Sequence, residues 1–139
     1  MINGSEQAIT ALRQTGDSLA SWHPDMPVVS IYLVGGVAGL LIGELAPERT
    51  TADCDVMEVE PSTHWDAVLE AVREVGAKTG LGDNWLNRDC EMFAWQMPLG
   101  WRQRCADIGV FRKLPVFVLS RGDLVAAKIM PAPKRPQDP

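Results

Sequence analysis

Asp53 and Asp55 stand two apart in "ADCDVMEVE", a stretch whose apolar and β-branched residues fit a strand. Side chains two apart on a strand point to one face, so the carboxylates stand together while Cys54 and Val56 face the other way. Two carboxylates that close raise each other's proton affinity, a cost on the order of a kcal/mol unless a cation or donor offsets it. A hard divalent ion does so: Mg²⁺ takes one or two carboxylates and completes its shell with phosphate oxygens and water. Upstream, Gly35 and Gly36 follow the apolar run "VVSIYLV". Backbone without Cβ atoms can approach a ligand closely, and the amides that open a following helix can bind phosphate. Glycines for phosphate and carboxylates for metal form one reading of this segment. A turn followed by a strand edge with ordinary surface acids forms the other.

The elements that would position these residues follow from the pattern of the chain. "SEQAITALRQTGDSLASW", residues 5 to 22, places Ile9, Leu12, Leu19 and Trp22 at helical spacing, with Ser5 as a cap and Gly16 weakening the middle. Two prolines in "HPDMP" end it, and Val28 to Val34 reads as a buried strand that Gly35 and Gly36 close. "VAGLLIGEL" predicts a short helix, "APERTTAD" a polar connection, and "CDVMEVE" a strand stopped by Pro61. Ser62 or Thr63 can cap the next helix, whose Trp65, Val68, Leu69, Val72 and Val75 share one face. "LGDNWLNRDC" has the composition of a loop in which Trp85 and Leu86 must bury, and "EMFAWQMP" reads as a short strand. "ADIGVF" and "LPVFVL" read as two more, and Ser120 with Asp123 three residues on caps a helix over about Arg121 to Met130. The order predicts an α/β (α+β) fold: a small mixed β-sheet with packed helices. At 139 residues the chain is expected to form one domain, with the proline-rich residues 131 to 139 as a tail.

Composition excludes several functions. Hydrophobic residues at 46% and charged residues at 22% fit a globular domain, not a disordered or coiled-coil chain. A net charge of −5 argues against a protein that holds nucleic acid chiefly by neutralising phosphates. Cys54, Cys90 and Cys105 are odd in number and lack a C-x-x-C pair, which fits reduced thiols, and with only His23 and His64 beside them a zinc site is unsupported. No leader or membrane-length apolar run is evident, so a cytoplasmic location without membrane contact is expected.

Strand, Gly-Gly, short helix, "RTTADCD" and strand, in that order, resemble the nucleotidyltransferase superfamily with the polymerase-β-like fold. The likeness is narrower to its small bacterial branch of MNT-type and AbiEii-type proteins. There a strand ends in Gly-Gly and a loop of the form R-x-T-x-D-x-D follows, matching Gly35, Gly36, Arg49, Thr51, Asp53 and Asp55. "DNWLN", "PLGWRQR" and "LSRGDLVAAKI" extend the likeness, and Lys128, Ala132, Arg135 and Asp138 loosely fit a K-x-x-A-x-R-x-x-D continuation.

The resemblance implies that Asp53 and Asp55 hold Mg²⁺ (or Mn²⁺) and that Gly35, Gly36, Arg49, Thr51 and Lys128 meet an NTP, expected to be ATP. A third carboxylate from a later strand would act as catalytic base, Asp107 first, with Asp89 and Glu91 behind it. The acceptor of the NMP would be a protein, an RNA such as tRNA, or a small molecule. An impaired relative would instead serve as a binding or regulatory module, for example with a toxin–antitoxin partner or as a homo-oligomer.

Three departures stand against turnover. Val37 occupies a position where active transferases commonly have Ser, Asp107 sits in no recognisable motif, and the usual C-terminal helical continuation is not present in this sequence. Plainer roles compete for single residues: a salt bridge for Arg49, solvent for Lys128, and packing rather than base stacking for Trp85, Trp95 and Trp101. His64 reads as a surface residue beside a helix cap.

Overall fold

The computed structural model describes residues 1–129. The first short strand, β1 (Ile2–Asn3), leads into α1 (Gly4–Trp22), and the central strand β2 (Ser30–Val34) runs directly into α2 (Gly35–Leu41). After a loop come β3 (Thr50–Thr51), β4 (Cys54–Glu60) and, past a 3₁₀ turn at Ser62–His64, α3 (Trp65–Thr79). Then follow β5 (Leu86–Asn87), a 3₁₀ segment Glu91–Gln96, α4 (Trp101–Arg104), the hairpin β6 (Ala106–Phe111) and β7 (Leu114–Val118), and α5 (Arg121–Ile129). The proline-rich residues 131 to 139, with Ala132, Arg135 and Asp138, lie outside the described residues.

Five strands form a mixed sheet in the order β5-β4-β2-β7-β6, and β1 pairs separately with β3. The expected α+β architecture is therefore present. On one face, the aligned rows Ile31–Val116 and Val56–Leu33–Val118 are fully buried, and α1 packs against α3 over this core. The other face carries Tyr32 between Glu58 and Phe117, with Phe117 next to Asp107. Tyr32 stacks on Phe117 with ring centroids 5.1 Å apart, and Trp101 meets Tyr32 edge-on at 5.6 Å. Helix α5 lies against α2.

Four local expectations are corrected. Helix α1 starts at Gly4 after Asn3, not at a Ser5 cap; the Ser5 amide instead donates to the Pro47 carbonyl at 2.7 Å. Gly35 and Gly36 begin α2 instead of closing the strand. Neither Ser62 nor Thr63 caps α3, because both are taken up in the 3₁₀ turn that precedes it. "EMFAWQ" is 3₁₀ helix and not strand: Cys90, Phe93, Ala94 and Met97 pack inward at a period near three while Met92 and Trp95 face out, and β5 already occupies the edge of β4. Within the loop "LGDNWLNRDC", Leu86–Asn87 is a short parallel strand, and Trp85 buries with its indole N–H donating to the Val72 carbonyl at 2.8 Å.

Gly16 is a packing requirement. A Cβ there would overlap the Phe111 carbonyl at the β6–β7 hairpin, a backbone atom that cannot swing aside. Helix propensity alone favours Gly16→Ala by about 1 kcal/mol; the overlap reverses the sign. Gly16→Ala is expected to lower stability by roughly 1–3 kcal/mol, measured as a lower midpoint of urea unfolding at unchanged slope.

Candidate functional site

The site begins with strand register. Val34, the last residue of β2, lies opposite Asp55 on antiparallel β4, so the turn into α2 falls beside that carboxylate. Gly35 has φ +79°, a left-handed conformation that favours glycine, and a Cβ there would meet Asp55 Oδ2 at 2.7 Å. A Cβ on Gly36 would overlap Thr51 Oγ1. Both glycines are thus required by the two halves of the T-x-D-x-D segment, which close directly on the start of α2. Thr51 is held from its other side by Ile2, its partner in the β1–β3 pair, and Ile2 is fully buried.

Asp53 immediately precedes β4 and Asp55 lies within it; both are half-buried, and Cys54 between them is buried. Burial pushes the Asp55 carboxyl above the usual aspartate range, the Asn87 side chain of β5 partly offsets this by hydrogen bonding, and the charges of Asp53 and Asp89 push it further up. Burial also raises the Cys54 thiol, with Asp55 and Asp53 adding to the effect, so it stays protonated. All three cysteines are free thiols.

A cleft of about 390 Å³ opens next to this pair, between α2 and α5. Val34, Gly35 and Gly36 form one side, Met57 and Phe93 add apolar surface, and Lys128 lines it from α5. Met57 is the extra residue of a β-bulge in β4 opposite Tyr32 and Leu33. Cys90 also lines the cleft, its thiol pushed up to about 11, first by burial and then by Asp55 and Asp89.

The residues singled out from sequence are placed as follows. Gly35 meets Asp55, Gly36 meets Thr51, and the charge of Asp53 reaches Asp55; Lys128 shares the cleft with the glycines, whereas Thr51, Asp53 and Asp55 stand behind the glycine turn and do not line the cleft. Arg49 is exposed in the loop before β3 and forms no salt bridge among the described residues. Asp107 is not brought to the pair: it lies on the edge strand β6, with β7 and β2 between it and β4, three strand spacings or about 14 Å away. Asp89 is the acid whose charge reaches Asp55. Among the described residues, no three His, Cys, Asp or Glu side chains are grouped so as to hold a metal unaided. Trp85 and Trp101 are buried, which leaves Trp95 as the exposed member of the three. His64 is half-buried in the turn before α3.

The sequence pattern gave no sign of Arg104 and Asp123 as a pair: the guanidinium donates to both oxygens of buried Asp123 at 2.9 Å. Their nineteen-residue separation follows no local period, so only the fold reveals it.

A glycine turn packed on the acidic start of β4 agrees with a nucleotidyltransferase-type domain. Residues 10–138 match the family described as nucleotidyltransferase of unknown function (DUF6036), and the chain belongs to that family. No curated protein and no solved structure gives a significant match. Among the described residues, no helix is long and apolar enough to cross a membrane.

The raised Asp55 carboxyl has a stability consequence. Because its proton affinity is higher in the folded than in the unfolded chain, ionising it opposes folding; this penalty is in full force above the raised value and vanishes once pH falls below the unfolded value near 4. Asp55→Asn is therefore expected to raise the thermal midpoint at pH 7, with the gain over wild type shrinking as pH is lowered toward 4.

Proposed function

We propose that this chain is a metal-dependent nucleotidyltransferase that moves an NMP from an NTP, with ATP the first candidate, onto an acceptor hydroxyl. The observation that carries this reading is the packing of Gly35 on Asp55, with Gly35 and Lys128 both lining one cleft. The donor set suits Mg²⁺ or Mn²⁺: two hard carboxylates, Asp53 and Asp55, while the neighbouring Cys54 and Cys90 are both held as protonated thiols and offer no soft thiolate. When bound, the ion would neutralise triphosphate charge and polarise the α-phosphorus.

The chain's own residues would then divide the remaining work. Asp53 and Asp55 hold the ion, and the Gly35–Gly36 backbone lets the phosphates approach the start of α2. Lys128 supplies a cation from the facing helix, and Arg49, exposed and without a salt bridge among the described residues, is available for a phosphate that extends past the loop. The acceptor oxygen attacks the α-phosphorus in line, the bond from that phosphorus to the bridging oxygen breaks, and pyrophosphate leaves with the bond pair. The acceptor proton passes to a carboxylate, a role for which Asp89 is better placed than Asp107.

A second reading, a catalytically impaired module that binds or regulates, for instance within a toxin–antitoxin pair, draws on Val37. Its side chain is fully buried in the core, so it offers no phosphate contact where active relatives commonly have a hydroxyl.

The deciding experiment incubates the purified protein and a cell extract with each α-labelled NTP in Mg²⁺ or Mn²⁺. Label transfer is expected, falling at least about 100-fold in Asp53→Ala/Asp55→Ala. Transfer would establish the enzyme, binding without transfer would favour the impaired module, and neither binding nor transfer would overturn the enzyme reading. In the active case, Asp89→Asn is expected to slow transfer on the order of 100-fold, while Asp107→Asn leaves the rate near that of wild type.

A further inference from the structure

Helix α5 forms the wall of the cleft that faces the glycine turn, contributing Leu124 and Lys128 to its lining. It is weakly embedded. Its buried residues are Asp123 and Leu124, whereas Val125 is 54% and Ile129 79% exposed. Among the described residues of α5, Leu124 is the buried apolar side chain and only the small, half-buried Ala127 packs on the core beside it; so limited a contact gains little from burial, and the helix position depends on polar contacts.

Two ion pairs supply them, and they are unequal. Arg121 pairs with Glu44 across the cleft, but its side chain is 73% exposed, the setting in which an ion pair contributes little. Arg104 pairs with Asp123, whose side chain is 6% exposed. There the guanidinium donates through Nε and Nη2 to the two carboxylate oxygens, both at 2.9 Å, a bidentate geometry that fixes orientation as well as distance. The same guanidinium donates to the Leu99 carbonyl at 2.7 Å and reaches that of Pro98 at 3.4 Å, so it is itself held by the loop before α4. Ser120 completes the joint: its hydroxyl donates to Asp123 Oδ2 at 2.9 Å and accepts from the Asp123 amide at 3.3 Å. Lys128 follows Asp123 by five residues on the same helix, about 7.5 Å along its axis. A small rotation at the joint therefore becomes a displacement of the ammonium group.

We infer that Arg104 is a positioning residue of the nucleotide site: by clamping Asp123 to the loop at Pro98 and Leu99, it sets the angle of α5 and so the place of Lys128 in the cleft. This inference rests on the reading of that cleft as the NTP site. Arg104 touches no nucleotide, and its effect passes entirely through Lys128.

Non-additivity tests it. Mg·NTP affinity is measured by equilibrium dialysis on the full chain, with the tightest-binding of the four common NTPs. Arg104→Gln and Lys128→Met are each expected to weaken binding about tenfold, about 1.4 kcal/mol, and the double variant is expected to bind no more weakly than either alone. Arg104→Lys, which keeps the charge but loses the fork, is expected to fall between wild type and Arg104→Gln, and serves where Arg104→Gln does not fold. Hydrogen exchange without ligand is expected to quicken in α5 of either Arg104 variant and to stay unchanged in α1 and α3. A lower melting temperature with unaltered NTP affinity, or losses that multiply to about a hundredfold in the double variant, would overturn the inference while leaving the nucleotide site intact. Failure of the wild-type chain to bind any NTP would instead remove the reading on which it rests.

Discussion

The antiparallel register that sets Val34 opposite Asp55 is the constraint on which the rest of the site depends. Strand side chains alternate, so a slip of one residue would turn Asp55 toward α1 and α3 and bring Cys54 out of the core. The buried rows fix the pairing: Leu33 must meet Val56 and Val118, and Ile31 must meet Val116, for the core to close. The bulge at Met57 is the adjustment that reconciles that core with the site. It inserts one residue between the Leu33 and Tyr32 pairings, placing Met57 in the cleft and letting Glu58 resume opposite Tyr32.

Around this register the chain places elements of different stiffness. The glycine turn and Asp55 sit where β2 and β4 pair beside the buried core, where motion is costly. The facing wall, α5, is a surface helix held by a polar joint. A ligand between the two walls would thus meet one rigid partner and one adjustable one, an arrangement that suits a cleft whose ligand must enter and leave.

Much of this was legible in the residues themselves. The bounds of β4 follow from "CDVMEVE" between a polar loop and Pro61, and α3 follows from its apolar stripe and from Gly80, which terminates it in the left-handed conformation. The union of Gly35 and Gly36 with Asp53 and Asp55 came from motif order. What the order could not disclose is that the glycines are small because Asp55 and Thr51 press on them; a sequence states that a Cβ is absent, not which neighbour excludes it. Asp107 attracted notice as an acid within a strand pattern, but strand patterns carry no sheet order, and β6 proved to be an edge remote from β4. The 3₁₀ segment at Glu91–Gln96 has the composition of a strand, because short apolar runs look alike until the free edges of the sheet are known.

The β1–β3 pair has a consequence for comparison among relatives. Ile2 and Asn3 brace Thr51 and Thr50, yet they precede residue 10, where the family match begins. Two proteins alike throughout the matched region can therefore differ in how the loop before β4 is tethered. Divergence in the geometry of this segment within the family can then arise from a leading stretch that comparison of the shared region leaves out of view.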